Sequence, residues 1–191
     1  MPSTVQHIAT AARRLLDQDG AEAVTMRRVA SAVGITPMAI YRHYADRSAL
    51  LNALADAGFR ELAARLTKAR VSGSIEERLV RMAEVYLDHA LENPRLLELM
   101  FLKRRAGARR FPRDFKKGHS PTANLLEQIV REGMERRELR KDDPWEITFE
   151  MGALSHGLVM LYLGGRLSPS VARFRAFYRR SIRRYLRGLR P

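Results

Sequence analysis

Few stretches of this chain place chemically active residue types at a useful spacing. Glu84, Asp88 and His89 fall within two helical turns, so oxygen and nitrogen donors could converge there on a metal ion. Solvated charges at helical spacing account for the same residues, and no metal site is expected. His119-Ser120 and Ser155-His156 set a base beside a hydroxyl, but nucleophile and base are normally brought together across a fold, and no G-x-S-x-G turn is present. Cys is absent, which removes thiolate nucleophiles, disulfides and Cys-based metal sites. Neither an enzyme nor a cofactor is expected. What remains is recognition chemistry: Thr36, Pro37, Met38, Ala39, Tyr41, Arg42 and His43 gather methyl groups, a phenol, a guanidinium and an imidazole in one short stretch.

Two short helices are needed to hold that stretch. Met26, Val29, Ala30 and Val33 follow the i, i+3, i+4, i+7 rule and share one face of a helix capped by Thr25. Gly34 supplies the left-handed residue that stops it. Thr36 and Pro37 restart a helix as N-cap and first position, where the missing N–H of proline costs nothing. The second helix turns Ile40 and Tyr44 inward and leaves its other side chains available. Two helices joined at a tight Gly turn make a helix-turn-helix, whose second helix enters the DNA major groove; a plain helical hairpin inside a bundle has the same pattern.

The rest of the chain also reads as helical. Thr36-Pro37, Asn93-Pro94, Ser120-Pro121, Asp143-Pro144 and Ser168-Pro169 each set a capping residue before proline, and no alternating run calls for a strand. A first helix from Ser3, with Gln6 completing a capping box, buries Val5, Ile8, Ala9, Ala12, Leu15 and Leu16 and ends at Gly20. Asp46 caps a fourth helix to about Arg70, with Leu50, Leu51, Leu54 and Leu66 inward. Val71 to Ser74 is the best boundary, and Ser74 with Glu77 opens a helix carrying Leu79, Met82, Ala83, Tyr86 and Ala90. A short helix holds Leu96, Leu97, Met100 and Phe101. Residues 104 to 119 read as irregular and partly mobile, broken by Gly107, Pro112 and Gly118 and carrying Phe111 and Phe115. A helix from Pro121 buries Leu125, Ile129, Val130 and Met134. From Trp145 to Leu163 apolar residues occur almost all round the wheel, a pattern that assigns one face to a second subunit. The last helix, from Pro169 to about Leu189, sets Val171, Phe174, Tyr178, Ile182, Tyr185 and Leu189 against a basic face. The fold class is all-α, with about nine helices.

The 191 residues are 46% hydrophobic, enough for one sizeable core or one core and a satellite. No run is long and apolar enough to span a membrane and no cleavable leader is seen, so a cytoplasmic protein is expected. The net charge of +14 points to an anionic partner, but residues 1 to 48 hold six Lys or Arg against four Asp or Glu. The surplus sits in residues 103 to 117, with eight basic side chains and one acid, and in residues 173 to 190, with eight and none.

Residues 4 to 54 resemble the DNA-binding head of the TetR family of bacterial transcriptional repressors, through Gly20, Thr25, Val29, Ala30, Gly34, Ile35, Thr36, Ile40, Tyr41, His43, Tyr44, Arg47 and Leu50. Residues 86 to 101 and 152 to 165 look like the ligand-sensing domain of one subgroup, in which a Trp stands four residues before a His-Gly pair. Here that position is Gly152, with His156 and Gly157 in place. The resemblance implies a three-helix DNA-binding domain over 1–47 and a ligand-binding and dimerisation domain over 48–191, with helix 47–70 connecting. It implies base contact by Arg27, whose fork matches the two acceptors of guanine, with Thr25 and Arg28 beside it. Thr36, Pro37, Met38 and Ala39 offer methyl and methylene groups to thymine. Tyr41, Arg42, His43 and Arg47 suit phosphates, Arg47 as a backbone clamp.

The same resemblance implies a homodimer on a pseudo-palindromic operator, paired through residues 145–163 and 170–187, and release by a small molecule. Its expected pocket is lined by Met82, Tyr86, Leu97, Met100, Phe101, Phe115, Phe149 and His156, although Met and Phe at helical spacing are more often plain core. The expected effector is largely apolar, and the basic stretch 103–117 leans toward a negative end. A sequence-tolerant basic protein that binds nucleic acid or acidic membranes is the alternative; it would show steep salt dependence and little sequence preference.

Overall fold

A computed structural model of the chain describes residues 3–69, 72–105, 108–167 and 170–191. Among these residues there are ten α-helices, one 3₁₀ turn and no strand. The helices form two compact units, Met1–Phe59 with Asn93–Ala108, and Arg60–Glu92 with Arg109–Pro191.

The first unit begins with α1 (Thr4–Asp19), opened by the Ser3/Gln6 capping box and stopped at Gly20. A 3₁₀ turn, Ala21–Ala23, leads to α2 (Met26–Val33) and α3 (Pro37–Tyr41). Ile8, Ala12 and Leu16 of α1, Val29 and Ala30 of α2, Ile40 of α3 and Leu50 of α4 (Arg47–Lys68) are almost wholly removed from water. Burying the Ile, Leu and Val side chains among these contributes about 1.5–3 kcal/mol each, which is how three helices too short to stand alone hold together. Val5 departs from expectation and is exposed, because it precedes Ile8 by one turn, at the end of the stripe where nothing covers it. Asp46 caps α4 by accepting from the Ala49 amide at 2.7 Å. The helix α6 (Pro94–Phe101) also belongs to this unit. Its start is tied to α1 by Arg13, which donates to the Asn93 side chain, and by Arg95, which donates to the Asp17 carbonyl at 3.3 Å. Gly58 lets α6 come close, since a Cβ there would meet Met100 Sδ at 2.6 Å.

The second unit holds the rest of α4, then α5 (Ile75–Glu92), α7 (Arg113–Lys116), α8 (Pro121–Glu135), α9 (Pro144–Leu163) and α10 (Val171–Arg187). The Ser74/Glu77 box opens α5, Ser120 caps α8 and Asp143 caps α9, each as its sequence indicates. The one-turn α7 lies inside a stretch expected to be irregular, and it brings the count to ten. The expected bounds at Arg70 and Val71, the break at Gly107 and the Ser168-Pro169 cap lie outside the described residues; Ser170 caps α10.

The core of this unit is α5 packed on α8, α9 and α10. Phe174, Tyr178 and Ile182 are fully buried, with the Phe174 ring stacked on Tyr162 at 4.0 Å and the Tyr178 hydroxyl donating to the Ala83 carbonyl at 3.0 Å. The stripe lies in the segment 170–187 expected to pair with a second subunit, yet it is covered within its own chain: an amphipathic pattern shows that a face is covered, not by which chain. Val171, in the first turn of α10, is exposed. Leu125 and Met134 of α8 are only half-buried. A row of ion pairs joins α10 and the residues after it to α5, with Arg175 on Asp88, Arg179 on Glu84, and Arg183 and, beyond the helix, Arg190 on Glu76.

Candidate nucleic-acid interface and the polar pair of the body

The helix-turn-helix is built as its residues dictate. Thr25 Oγ1 accepts from the Arg28 amide at 3.2 Å and starts α2, and Gly34, at φ 75°, turns the chain out of it. Thr36 Oγ1 accepts from the Ala39 amide at 3.3 Å and starts α3 on Pro37. The hydroxyls of Thr25 and Thr36 are therefore spent on capping, and the Thr36 methyl is the part of that side chain left for an outside partner. Ile40 anchors α3 in the core while Met38 is 70% exposed and Tyr41 48%. Pro37, Arg42 and His43 are exposed as well, and Ala39 is half-buried. A short helix pinned by one apolar residue thus turns a mixed apolar and cationic face outward.

The arginines separate into two kinds. Arg27 is exposed and makes no ion pair among the described residues, so its fork is available to a base edge. Arg28 is committed to Asp19 at 2.6 Å. Arg47 is half-buried, and its Nε donates to the Val24 carbonyl at 2.8 Å and its Nη2 to the Ala21 carbonyl at 2.7 Å. A further contact reaches Glu22 at 3.2 Å, a carboxylate that Lys103 also approaches at 3.4 Å. Arg47 thus braces the turn between α1 and α2, which carries no cap bond from a side chain of its own. Those carbonyl partners are more than twenty residues away in the chain, so no local pattern announces them.

Two model domains match the chain: "Bacterial regulatory proteins, tetR family" over residues 8–54 and "Tetracyclin repressor-like, C-terminal domain" over residues 79–185. The chain belongs to the TetR family. It is a DNA-binding transcriptional regulator and not an enzyme. A curated relative, the uncharacterized HTH-type transcriptional regulator YobS of Bacillus subtilis, is 26% identical over 100 residues, a match spanning 52% of each protein. A protein of unknown function from Rhodococcus sp. RHA1 superposes over 100% of this chain and 97% of its own, with TM-score 0.85 at 28% identity. A regulatory protein of the TetR family from Rhodococcus RHA1 shares the fold at TM-score 0.70 and 20% identity, over 100% of this chain and 98% of its own.

The expected lining residues divide between the two units. Leu97 and Met100 are buried in the first unit, and Phe101, 42% exposed, packs edge-on against Phe59 with centroids 5.2 Å apart. Met82 is buried core of the second unit. There Tyr86 Oη and His156 Nδ1 are 2.7 Å apart, both side chains half-buried. Burial, reinforced by Tyr178, pushes the Tyr86 phenol up, and burial lowers His156, so both stay neutral near pH 7. Phe115 and Phe149 meet edge to face at 5.8 Å, and Phe111 stacks on Phe149 at 4.4 Å. Phe149 keeps 45% of its surface exposed. Phe111 was not among the expected lining residues; its place four residues before Phe115 was the available signal.

The basic stretch beside these rings is neutralised only in part. Lys116 lies 2.6 Å from Asp143 and Arg113 2.9 Å from Asp114, while Arg109 Nε donates to the His119 carbonyl at 2.7 Å. In the first unit Lys103 meets Glu22 and Glu98, and Arg105 donates to Asn52.

No helix among the described residues is long and apolar enough to cross a membrane, and no group of three His, Asp or Glu among them is placed to hold a metal ion.

Proposed function

We propose that this regulator is a repressor that binds a pseudo-palindromic operator as a homodimer in the cytoplasm and is released by a small molecule. Residues 1–47 form the DNA-binding domain, and residues 48–191, with helix 47–70 connecting, carry ligand binding and dimerisation. The observation that carries the reading is the outward face of α3, with Met38 and Tyr41 exposed around a buried Ile40 and the uncommitted Arg27 on α2. Arg27 reads a guanine, Pro37, Met38 and the Thr36 methyl meet thymine methyls, and Tyr41, Arg42 and His43 hold phosphates. Arg47 supports this surface from within.

A two-fold pair of heads requires two half-sites in inverted orientation. Dimer formation uses the outward faces of α9 and α10, where Leu161 and Phe177 stay exposed in the single chain. The effector is a largely apolar molecule whose polar group is neutral, because Tyr86 and His156 offer uncharged donors and acceptors, and Phe111, Phe115 and Phe149 offer ring surface. Of the nearby cations, Arg113 and Lys116 are spent on protein carboxylates, so the reading of the polar group rests on Tyr86 and His156. Such a ligand weakens operator binding only by favouring one arrangement of the heads over another.

Selection of bound sequences from random duplex DNA tests the reading. A repressor of this kind returns an inverted repeat; a pool with no shared sequence, bound with steep salt dependence, would leave only a sequence-tolerant basic protein.

A further inference from the structure

Two glycines stand inside α9, and they face different surroundings. Glycine weakens a helix interior relative to alanine, so it is kept there when the backbone needs a positive φ or when another element comes close. Neither reason holds at Gly152. Its φ is not positive, and a Cβ built on it would meet nothing within 4 Å. Gly157 is equally open, but it lies five residues on, about 140° round the helix, with exposed Glu150, Ala153 and Leu161 on the outward face.

Gly152 faces the chain's own aromatic and polar groups. Phe149, Gly152 and His156 stand at i, i+3 and i+7, so they share one face of α9 with the glycine between the other two. The step from Phe149 to His156 spans roughly 10 Å along the axis. At one end the Phe149 ring, 45% exposed, is steadied by Phe111, stacked at 4.4 Å, and by Phe115, edge-on at 5.8 Å. At the other end Tyr86 Oη and His156 Nδ1 lie 2.7 Å apart. That end is uncharged, because burial disfavours both the phenolate and the imidazolium. A phenol oxygen donates and accepts, so its contact with His156 does not exhaust what it offers a ligand.

We infer that the space over Gly152 is a subsite for a flat aromatic ring of an uncharged small molecule, whose hydroxyl or carbonyl reaches the Tyr86–His156 pair. The inference deepens the effector reading, on which it rests for the consequence of binding, and adds the class of ligand and the residue that sets its size. An aromatic face stacks on or edges against the Phe149 ring, and its thinness suits a gap left by one missing side chain. A carboxylate in the polar position would be desolvated with no charge on Tyr86 or His156 to meet it. Any side chain larger than alanine at position 152 closes the space.

Calorimetric titration of the full chain with 2-naphthol, one hydroxyl on a two-ring aromatic, tests this without DNA. Wild type is expected to bind it, and to bind naphthalene-2-carboxylate about tenfold or more weakly. Gly152→Trp is expected to lose about tenfold or more in 2-naphthol affinity, because the new indole occupies the space. Phe149→Ala, which removes the ring wall without adding bulk, should weaken 2-naphthol as well, and circular dichroism checks that both variants keep their helices. Gly152→Ala should raise Tm by about 1–4 °C, since its methyl meets no atom and only the helix gains. A wild type that does not bind 2-naphthol, or binding that both variants leave unchanged, overturns the subsite. Carboxylate binding as tight as that of the naphthol overturns the uncharged class. A lower Tm in Gly152→Ala shows that something packs on that position and overturns the open space. None of these results touches release by a small molecule. A ring that binds over Gly152 and leaves operator affinity unchanged counts against release and leaves the subsite in place.

Discussion

Arg47 and Arg27 lie in one small domain, and the structure gives them opposite duties. Replacing Arg47 with Ala removes two hydrogen bonds to backbone carbonyls, at Val24 and Ala21, and leaves the carbonyl of a fully buried residue, Val24, without this donor. A hydrogen bond to a charged group contributes roughly 1.5–3 kcal/mol when protected from water. The Arg47 side chain is 38% exposed, so solvent takes back a large part, and a combined loss of about 2 kcal/mol is expected. Arg27→Ala touches no internal partner and stays within ~0.5 kcal/mol of wild type. On DNA the order reverses. Arg27→Ala costs ~1–3 kcal/mol on the operator and relaxes preference at one or two base pairs. Arg47→Ala weakens operator binding by loosening the turn ahead of α2, and the dependence of affinity on salt keeps its slope because no phosphate contact has gone. Urea unfolding, together with duplex titrations at several salt concentrations, reads all four quantities. If Arg47→Ala unfolds like wild type but binds every duplex more weakly, with a slope shallower by about 0.9, Arg47 is a phosphate clamp and the bracing role is refuted.

Phe174→Ala, which empties a fully buried site stacked on Tyr162, should cost ~3–5 kcal/mol in a urea melt; a loss under about 1 kcal/mol would mean that the ring is not core. His156 is held below the ordinary histidine range by burial, so its unfolded form binds protons first; stability is full above that range and declines as pH falls through it toward the lower folded value. Melts of wild type and His156→Gln on either side of the range should show that slope only in wild type. Glu132, held at about 2 by hydrogen bonds from Arg78 and then Arg136, contributes stability above the ordinary glutamate range that is lost as pH falls toward about 2. Glu132→Gln should therefore flatten part of the acid-induced loss, and an unchanged acid profile would show that the network adds nothing. Phe149→Ala should weaken an identified effector while operator binding without effector stays the same, and retained affinity would move the site elsewhere.

Local chemistry made much of this fold legible. Ser3 with Gln6, Thr25, Gly34, Thr36 with Pro37, Ser74 with Glu77 and Asp143 with Pro144 all act within four residues of themselves, so sequence is enough to place them. What escaped depends on distance. The partners of Arg47 are contributed by another element, the Asp19 that holds Arg28 lies nine residues back, and the α5 acids that occupy Arg175, Arg179 and Arg190 are almost ninety residues or more away. Val5 and Val171 fit their stripes by spacing but stand in first turns that no neighbour covers. The candidate effector site divided for the same reason: Phe101 found Phe59, while Phe115 and Phe149 were completed by Phe111. Helical spacing says which residues share a face, and only packing says what that face meets.

Sequence-specific DNA binding through α3 is measured by a competition titration of the selected operator against a scrambled duplex of the same length and composition. Wild type should prefer the operator by ~10³-fold or more at physiological salt, and Met38→Glu should erase most of that preference by setting a carboxylate against the groove. Equal affinity of wild type for both duplexes, or full preference retained by Met38→Glu, would mean that α3 does not read the operator.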